Sequence, residues 1–160
     1  MFARYFVELE IEPDRVRDLL LRGPGSWLPA LATAATYQGD VRLARVGFGQ
    51  EVRIERTVAV ELGTPVALAS KTILPLRWTP TGSPGLFPTL DADLEIARLE
   101  DVRTQLAMSA RYAPPLGLLG RAVDRSIMFR VAEATIKDFL DRVAQALTAD
   151  HDEIAAPTLH

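Results

Sequence analysis

The chain contains no cysteine. Disulfide frameworks, thiolate metal sites, iron–sulfur clusters and cysteine nucleophiles are thereby excluded, and a reducing compartment is compatible with the composition. Histidine is nearly missing: only His151 and His160 occur, both close to the C-terminus. Unless that end folds back on the body, a serine–histidine couple, a histidine-ligated zinc or an imidazole base lacks its essential residue. No spacing of metal ligands and no phosphate-cradling glycine loop is present, so neither a metal nor a cofactor is implied. Basic charge is not concentrated either: 18 Lys and Arg stand against 21 Asp and Glu, for a net charge of −3. Nucleic acid is therefore not an expected partner. The longest uncharged run, between Arg22 and Asp40, is broken by Pro24, Pro29 and three glycines. It falls short of the roughly 20 apolar residues that span a bilayer, so stable membrane insertion is not expected. Glu8 interrupts the apolar start where a signal peptide needs continuity, which points to a cytoplasmic protein.

What is present fits one globular domain: 160 residues, of which 48% are apolar. The domain is expected over 1–148, with 149–160 as a disordered tail. Ala3, Tyr5, Val7, Leu9 and Ile11 alternate with Arg4, Glu8 and Glu10, the period of a half-buried strand. At Pro13-Asp14 the period becomes helical, with Val16, Leu19 and Leu20 on one stripe until Gly23-Pro24-Gly25 stops it. A second short helix is expected from Ser26, as N-cap, through Trp27, Leu28, Leu31 and Ala35.

From Asp40 to Tyr112 the pattern is a strand meander. A three-residue loop at Gly63-Thr64-Pro65 sets Leu62 against Val66, Val60 against Leu68 and Ile54 against Leu74. A three-residue loop at Leu99-Glu100-Asp101 pairs Ile96 with Thr104, Leu94 with Leu106, Ala92 with Met108 and Leu90 with Ala110. Each pairing puts one face under cover and leaves the other wet. The cover is expected from an unbroken helix over about Leu116 to Leu147. Its stripes are Leu119, Val123, Ile127 and Val131, then Ala122, Phe129, Ala132, Ile136, Phe139 or Leu140, Val143 and Leu147.

This order resembles the START-like (SRPBCC) superfamily of polyketide cyclases/dehydrases and lipid-transport proteins. The residues that carry the resemblance are Phe87-Pro88-Thr89-Leu90-Asp91-Ala92-Asp93-Leu94, Tyr112-Ala113-Pro114-Pro115-Leu116-Gly117, Asp124-Arg125 and Arg130-Val131-Ala132-Glu133-Ala134-Thr135. The resemblance implies an α+β helix-grip fold: a curved antiparallel sheet of about six strands wrapped around the C-terminal helix, with two short helices after strand one. It also implies a cavity between sheet and helix for a lipid, a polyketide or a similar molecule. Family members have a sixth strand in the meander, whereas five are counted here after the first strand, with Thr79 to Leu86 unassigned. Members include cyclases, carriers and sensors, so the fold does not select the reaction.

Candidate site residues follow from the inward positions. Val58, Ser70, Thr72, Ala92, Met108 and Ala110 are small or middle-sized and would leave volume on a curved face. Arg56 interrupts the inward series and either pairs with Glu133 or Asp124 or awaits an anionic ligand group. Arg45 shares its face if the turn at Gly49-Gln50 has two residues, Arg42 if it has three. Tyr112, Trp78 and Trp27 stand at element ends where a pocket mouth would lie, and Met108 and Phe129 would line it. Asp91, Asp93 and Glu95 alternate onto the wet face. Thr79 to Gly85 is a turn-rich loop that could cover a mouth. The leading expectation is a non-enzymatic binder of a hydrophobic small molecule, oriented by Arg56, Tyr112 and Trp78. The alternatives are a cyclase/dehydratase-type enzyme with Tyr112 as acid and Glu133 as base, and a protein-interaction module; the oligomeric state stays open.

Overall fold

The computed structural model describes residues 1–22, 27, 41–48, 54–81, 89–113 and 125–155, with backbone alone for 41–45, 47–48, 54–56 and 125. The strands are β1 (Phe2–Leu9), β2 (Val41–Phe48), β3 (Ile54–Leu62), β4 (Val66–Ala67), β5 (Lys71–Pro80), β6 (Thr89–Glu100) and β7 (Arg103–Ala113). The helices are α1 (Pro13–Arg22) and the 31-residue α2 (Arg125–Ala155). Every strand pair is antiparallel, in the order β1-β7-β6-β5-β3-β2, with β4 paired to β5 off this path.

The sheet must curl. Six strands spaced about 4.8 Å apart would separate the outer two by about 24 Å in a flat layer, twice the width of a helix with its side chains. Yet α2 packs against β1 and β7 at one edge and against β2 at the other. The central strands β5 and β6, among the described residues, do not approach its backbone as nearly. They form the floor of a trough, and side chains must occupy the depth between floor and helix. At one place they do so tightly: Trp78 meets Phe139 edge-on at 5.2 Å between ring centroids, and both are about 1% exposed.

Helix α1 closes one end of the trough. Val16, Leu19 and Leu20 are buried against the neighbouring elements β6, β7 and α2. The buried Trp27 donates its indole N–H to the Leu20 carbonyl at 2.9 Å, satisfying an acceptor at the end of α1. Apart from Trp27, the second short helix expected from the sequence lies outside the described residues.

Three expectations are corrected. Strand β3 does not fold back on 66–74: it pairs with the second half of β5, Leu62 opposite Leu76 and Val60 opposite Trp78, while β4 pairs with the first half. A tight turn closed by Leu68 N–H donating to the Lys71 carbonyl makes β4 and β5 their own hairpin, leaving Val66, Leu68 and Ser70 exposed. Gly63 bridges the stagger by donating its N–H to the Pro75 carbonyl at 2.8 Å, where an added Cβ would stand 2.9 Å from the proline Cβ. In the last hairpin the register is two residues further on, Leu94 opposite Met108 and Leu90 opposite Tyr112, because a bulge between Arg98 and Glu100 precedes a two-residue turn. A shift of two keeps each residue on its face, so the buried set stands. The helix also continues past Leu147 to Ala155, so 149–155 are helical where a disordered tail was expected. No helix breaker occurs before Pro157.

Candidate ligand-binding site

Register gathers the inward residues into rows across the trough. One row runs Leu76, Ala92, Ala110 and Ala3 over β5, β6, β7 and β1. The three alanine methyls reach less far above the sheet than the Trp78-Leu90-Tyr112 row on one side or the Leu74-Leu94-Met108 row on the other. The sequence names Ala92 and Ala110 as small inward residues. That they align with Ala3, a residue more than 80 positions away, follows only from pairing the first strand with the last.

Tyr112 borders this shallow row. Its backbone exchanges two hydrogen bonds with Met1, N–H to carbonyl at 2.9 and 3.1 Å, which fixes the strand end. The residue is only 4% exposed, and its hydroxyl is buried without a hydrogen-bond partner among the described residues. Burial pushes its pKa up, and the negative charge of Glu133 on α2 pushes it further, so the hydroxyl holds its proton across the neutral range. Glu133 itself is exposed and lines a groove of about 360 Å³ between α2 and β1, with Arg4, Tyr5, Arg130 and Lys137.

Phe129 stands one turn before Glu133, in line with Ile136 and Val143 seven and fourteen residues on. Ile136 and Val143 are buried, but Phe129 is 38% exposed, so the stripe that is covered further along α2 emerges near its first turns. The expectation that Phe129 and Ile127 sit in the core is corrected: Ile127 points away at 52% exposure, while Met128 and Thr135, which the stripes omitted, are buried. The buried face rotates along the helix, from Met128 and Val131 to Leu140 and Leu147, as an α-helix of 3.6 residues per turn does over a twisted sheet.

The remaining candidates divide. Met108 is fully buried on the trough floor. Trp78 and Trp27 are buried and packed, Trp78 on Phe139 and Trp27 on α1. Arg56 lies opposite Val46, and Arg42 opposite Val60, on the parity of buried residues, so the β2–β3 register selects Arg42 and not Arg45 for that face. The side chains of both arginines, Asp124, and the loop 82–88 lie outside the described residues. Thr81, just after β5, donates its N–H and its hydroxyl to the Thr57 carbonyl, both at 3.1 Å.

On the opposite face the carboxylates alternate outward as expected. Asp91 pairs with Arg77 at 3.5 Å. Glu95 accepts from Lys71 at 2.7 Å and from the Ser109 hydroxyl at 3.1 Å, with Arg4 at 3.8 Å. Burial pushes the Glu95 pKa up, but the hydrogen bonds from Lys71 and Ser109 and the charges of Lys71 and Arg4 outweigh it, leaving it below its ordinary 4.5. A carboxyl with a lowered folded pKa adds stability above its unfolded value and loses it as pH falls through the folded one. Glu95→Gln is therefore expected to destabilise at pH 7 and to match the parent in strong acid. Urea midpoints at the two pH values measure this; an equal deficit at both would contradict it.

Neither a protein-family model nor a curated protein matches the chain. Solved structures do. A START superfamily protein from Mycobacterium smegmatis is 12% identical over 96% of this chain and 98% of that one, with a TM-score of 0.57. The Zhui aromatase/cyclase from a Streptomyces species is 12% identical over 98% and 96%, with a TM-score of 0.54. The lipid transfer and protein localization domain of human StarD13 is 12% identical over 91% and 76%, with a TM-score of 0.50. At these identities the likeness establishes architecture: the chain has the START-like helix-grip fold. No helix among the described residues is long and apolar enough to cross a membrane.

Proposed function

We propose that the chain binds a hydrophobic small molecule bearing a hydrogen-bond acceptor, held between the sheet and α2 over the Ala3-Ala92-Ala110 row. The carrying observation is the buried hydroxyl of Tyr112 beside that row, which has no partner among the described residues. A buried hydroxyl without a partner costs about 1–3 kcal/mol, and a ligand carbonyl, hydroxyl or carboxylate would relieve that cost. Burial of about 300 Å² of apolar ligand surface supplies roughly 7 kcal/mol before association costs. Phe129 and Met128 would flank the way in, and Arg56, whose backbone pairs opposite the buried Val46, would suit an acidic ligand group. The lipid-transfer domain and the aromatase/cyclase of the same fold support a ligand-binding reading.

A second reading rests on the influence of Glu133 on Tyr112. In that reading Tyr112 would act as the acid and Glu133 as the base of a cyclase- or dehydratase-type reaction. Native mass spectrometry of freshly purified protein separates outcomes: added mass that solvent extraction removes is expected. A clean apo mass, together with no fluorescence enhancement of 1-anilinonaphthalene-8-sulfonate, would overturn both readings. Turnover abolished in Tyr112→Phe with retained binding would favour the second.

A further inference from the structure

Strand β1 lies at the end of the sheet order, and among the described residues nothing pairs with its outer edge. In an antiparallel pair alternate residues exchange both hydrogen bonds with one neighbour, and those between direct their N–H and C=O groups the other way. Met1 exchanges both bonds with Tyr112, so Ala3, Tyr5, Val7 and Leu9 bond to β7 and Phe2, Arg4, Phe6 and Glu8 face the free edge. The side chains of these four residues also share the outer face, where Phe2 is 58% and Phe6 53% exposed. An edge strand with bare backbone and exposed phenylalanines is a template for another strand.

We propose that this edge joins a second copy of the chain, β1 against β1 antiparallel, in the register that sets Phe6 opposite the partner copy's Phe6. Charge complementarity selects both the occupant and the register. With Phe6 on the two-fold axis, Arg4 falls opposite the partner copy's Glu8 and Glu8 opposite its Arg4. All of these are residues whose backbone groups face the free edge, so the hydrogen bonds and the charge pairs form together. A slip of two residues sets Arg4 against phenylalanine or Phe6 against glutamate, and a slip of four toward the N-terminus opposes Arg4 to Arg4. Arg4 and Glu8 already have neighbours, Glu95 at 3.8 Å and Arg103 at 2.7 Å, but their side chains stay 52% and 44% exposed and able to accept a further partner. On the inner side the groove along α2 carries Arg130, Glu133 and Lys137, charges of both signs, as a two-fold contact requires. The resulting dimer has one sheet continuous through both copies and two troughs, independent of what either trough binds.

Sedimentation velocity of the full chain across a wide concentration range tests this, with melting curves to confirm folding. The parent is expected to show a reversible monomer–dimer equilibrium. Arg4→Glu and Glu8→Arg should each weaken self-association by about tenfold, since like charges then oppose each other twice, and an equimolar mixture should recover it. Phe6→Pro should remain folded, because the N–H it removes bonds nothing among the described residues, and should be monomeric. A parent that stays monomeric at every concentration overturns the proposal. So does a dimer that survives Phe6→Pro, or variants whose mixture associates no better than either alone.

Discussion

Tyr112→Phe is expected to raise the melting temperature while weakening ligand binding. The hydroxyl is buried and lacks a partner among the described residues, so its removal breaks no bond to any of them and deletes a desolvated dipole. Recovery of even the low end of the usual penalty, about 1 kcal/mol, corresponds to roughly 2–4 °C for a chain of this size. A ligand acceptor that uses the hydroxyl would lose one neutral hydrogen bond, about tenfold in affinity. Opposite signs in the two measurements mark a group kept for binding at the expense of stability. The raised pKa carries the same logic: burial and the Glu133 charge keep the proton on, so the hydroxyl has a hydrogen to offer an acceptor at neutral pH. Thermal melts of the apo variant and titration with a fluorescent apolar probe read the two effects. A fall in melting temperature would show that the hydroxyl serves the fold.

Phe139→Ala is expected to be the most damaging single change in the helix. The ring is 1% exposed and spans the depth of the trough to Trp78, with planes at 64°. Truncating a buried phenylalanine costs about 3–5 kcal/mol, and an edge-to-face pair adds about 0.5–1.5 kcal/mol. A melting temperature lower by about 10 °C and a red shift of tryptophan emission should accompany it. Phe129→Ala, at 38% exposure on the same helix, should cost under about 1 kcal/mol and act on probe binding instead. Equal losses at the two positions would mean that the sheet covers the whole length of α2.

The burial pattern was legible in the sequence wherever it is local. Thr72, Leu74, Leu76 and Trp78 alternate into the core, as do Leu90, Ala92, Leu94 and Ile96, because a strand has a period of two and one side must leave water. Registers were less legible. The bulge before Glu100 and the two-residue turn after it together preserve alternation while moving every pair by two, and the β4 turn diverts 66–67 to β5, neither of which changes apolar content. The apolar face of α2 was legible from Ala132 to Leu147 apart from the buried Thr135, and misread at Ile127, Met128 and Phe129, where cover depends on elements far away in the chain.

The five strands counted after the first are six, and Val66, Leu68 and Ser70 face water. What the amino-acid order by itself determined is the inward face of β1, β5, β6 and β7 and the identity of Tyr112 as the aromatic at the last strand's end. These depend on neighbours a few residues apart, whose backbone geometry is the same in any fold. Only the tertiary structure decided that β1 lies beside β7, so that Ala3 completes the shallow row, the charge of Glu133 reaches Tyr112, and the phenolic hydroxyl is buried with no partner among the described residues. Those outcomes depend on closing a loop of about a hundred residues and curling a sheet around a helix, and no local periodicity encodes where the two ends meet.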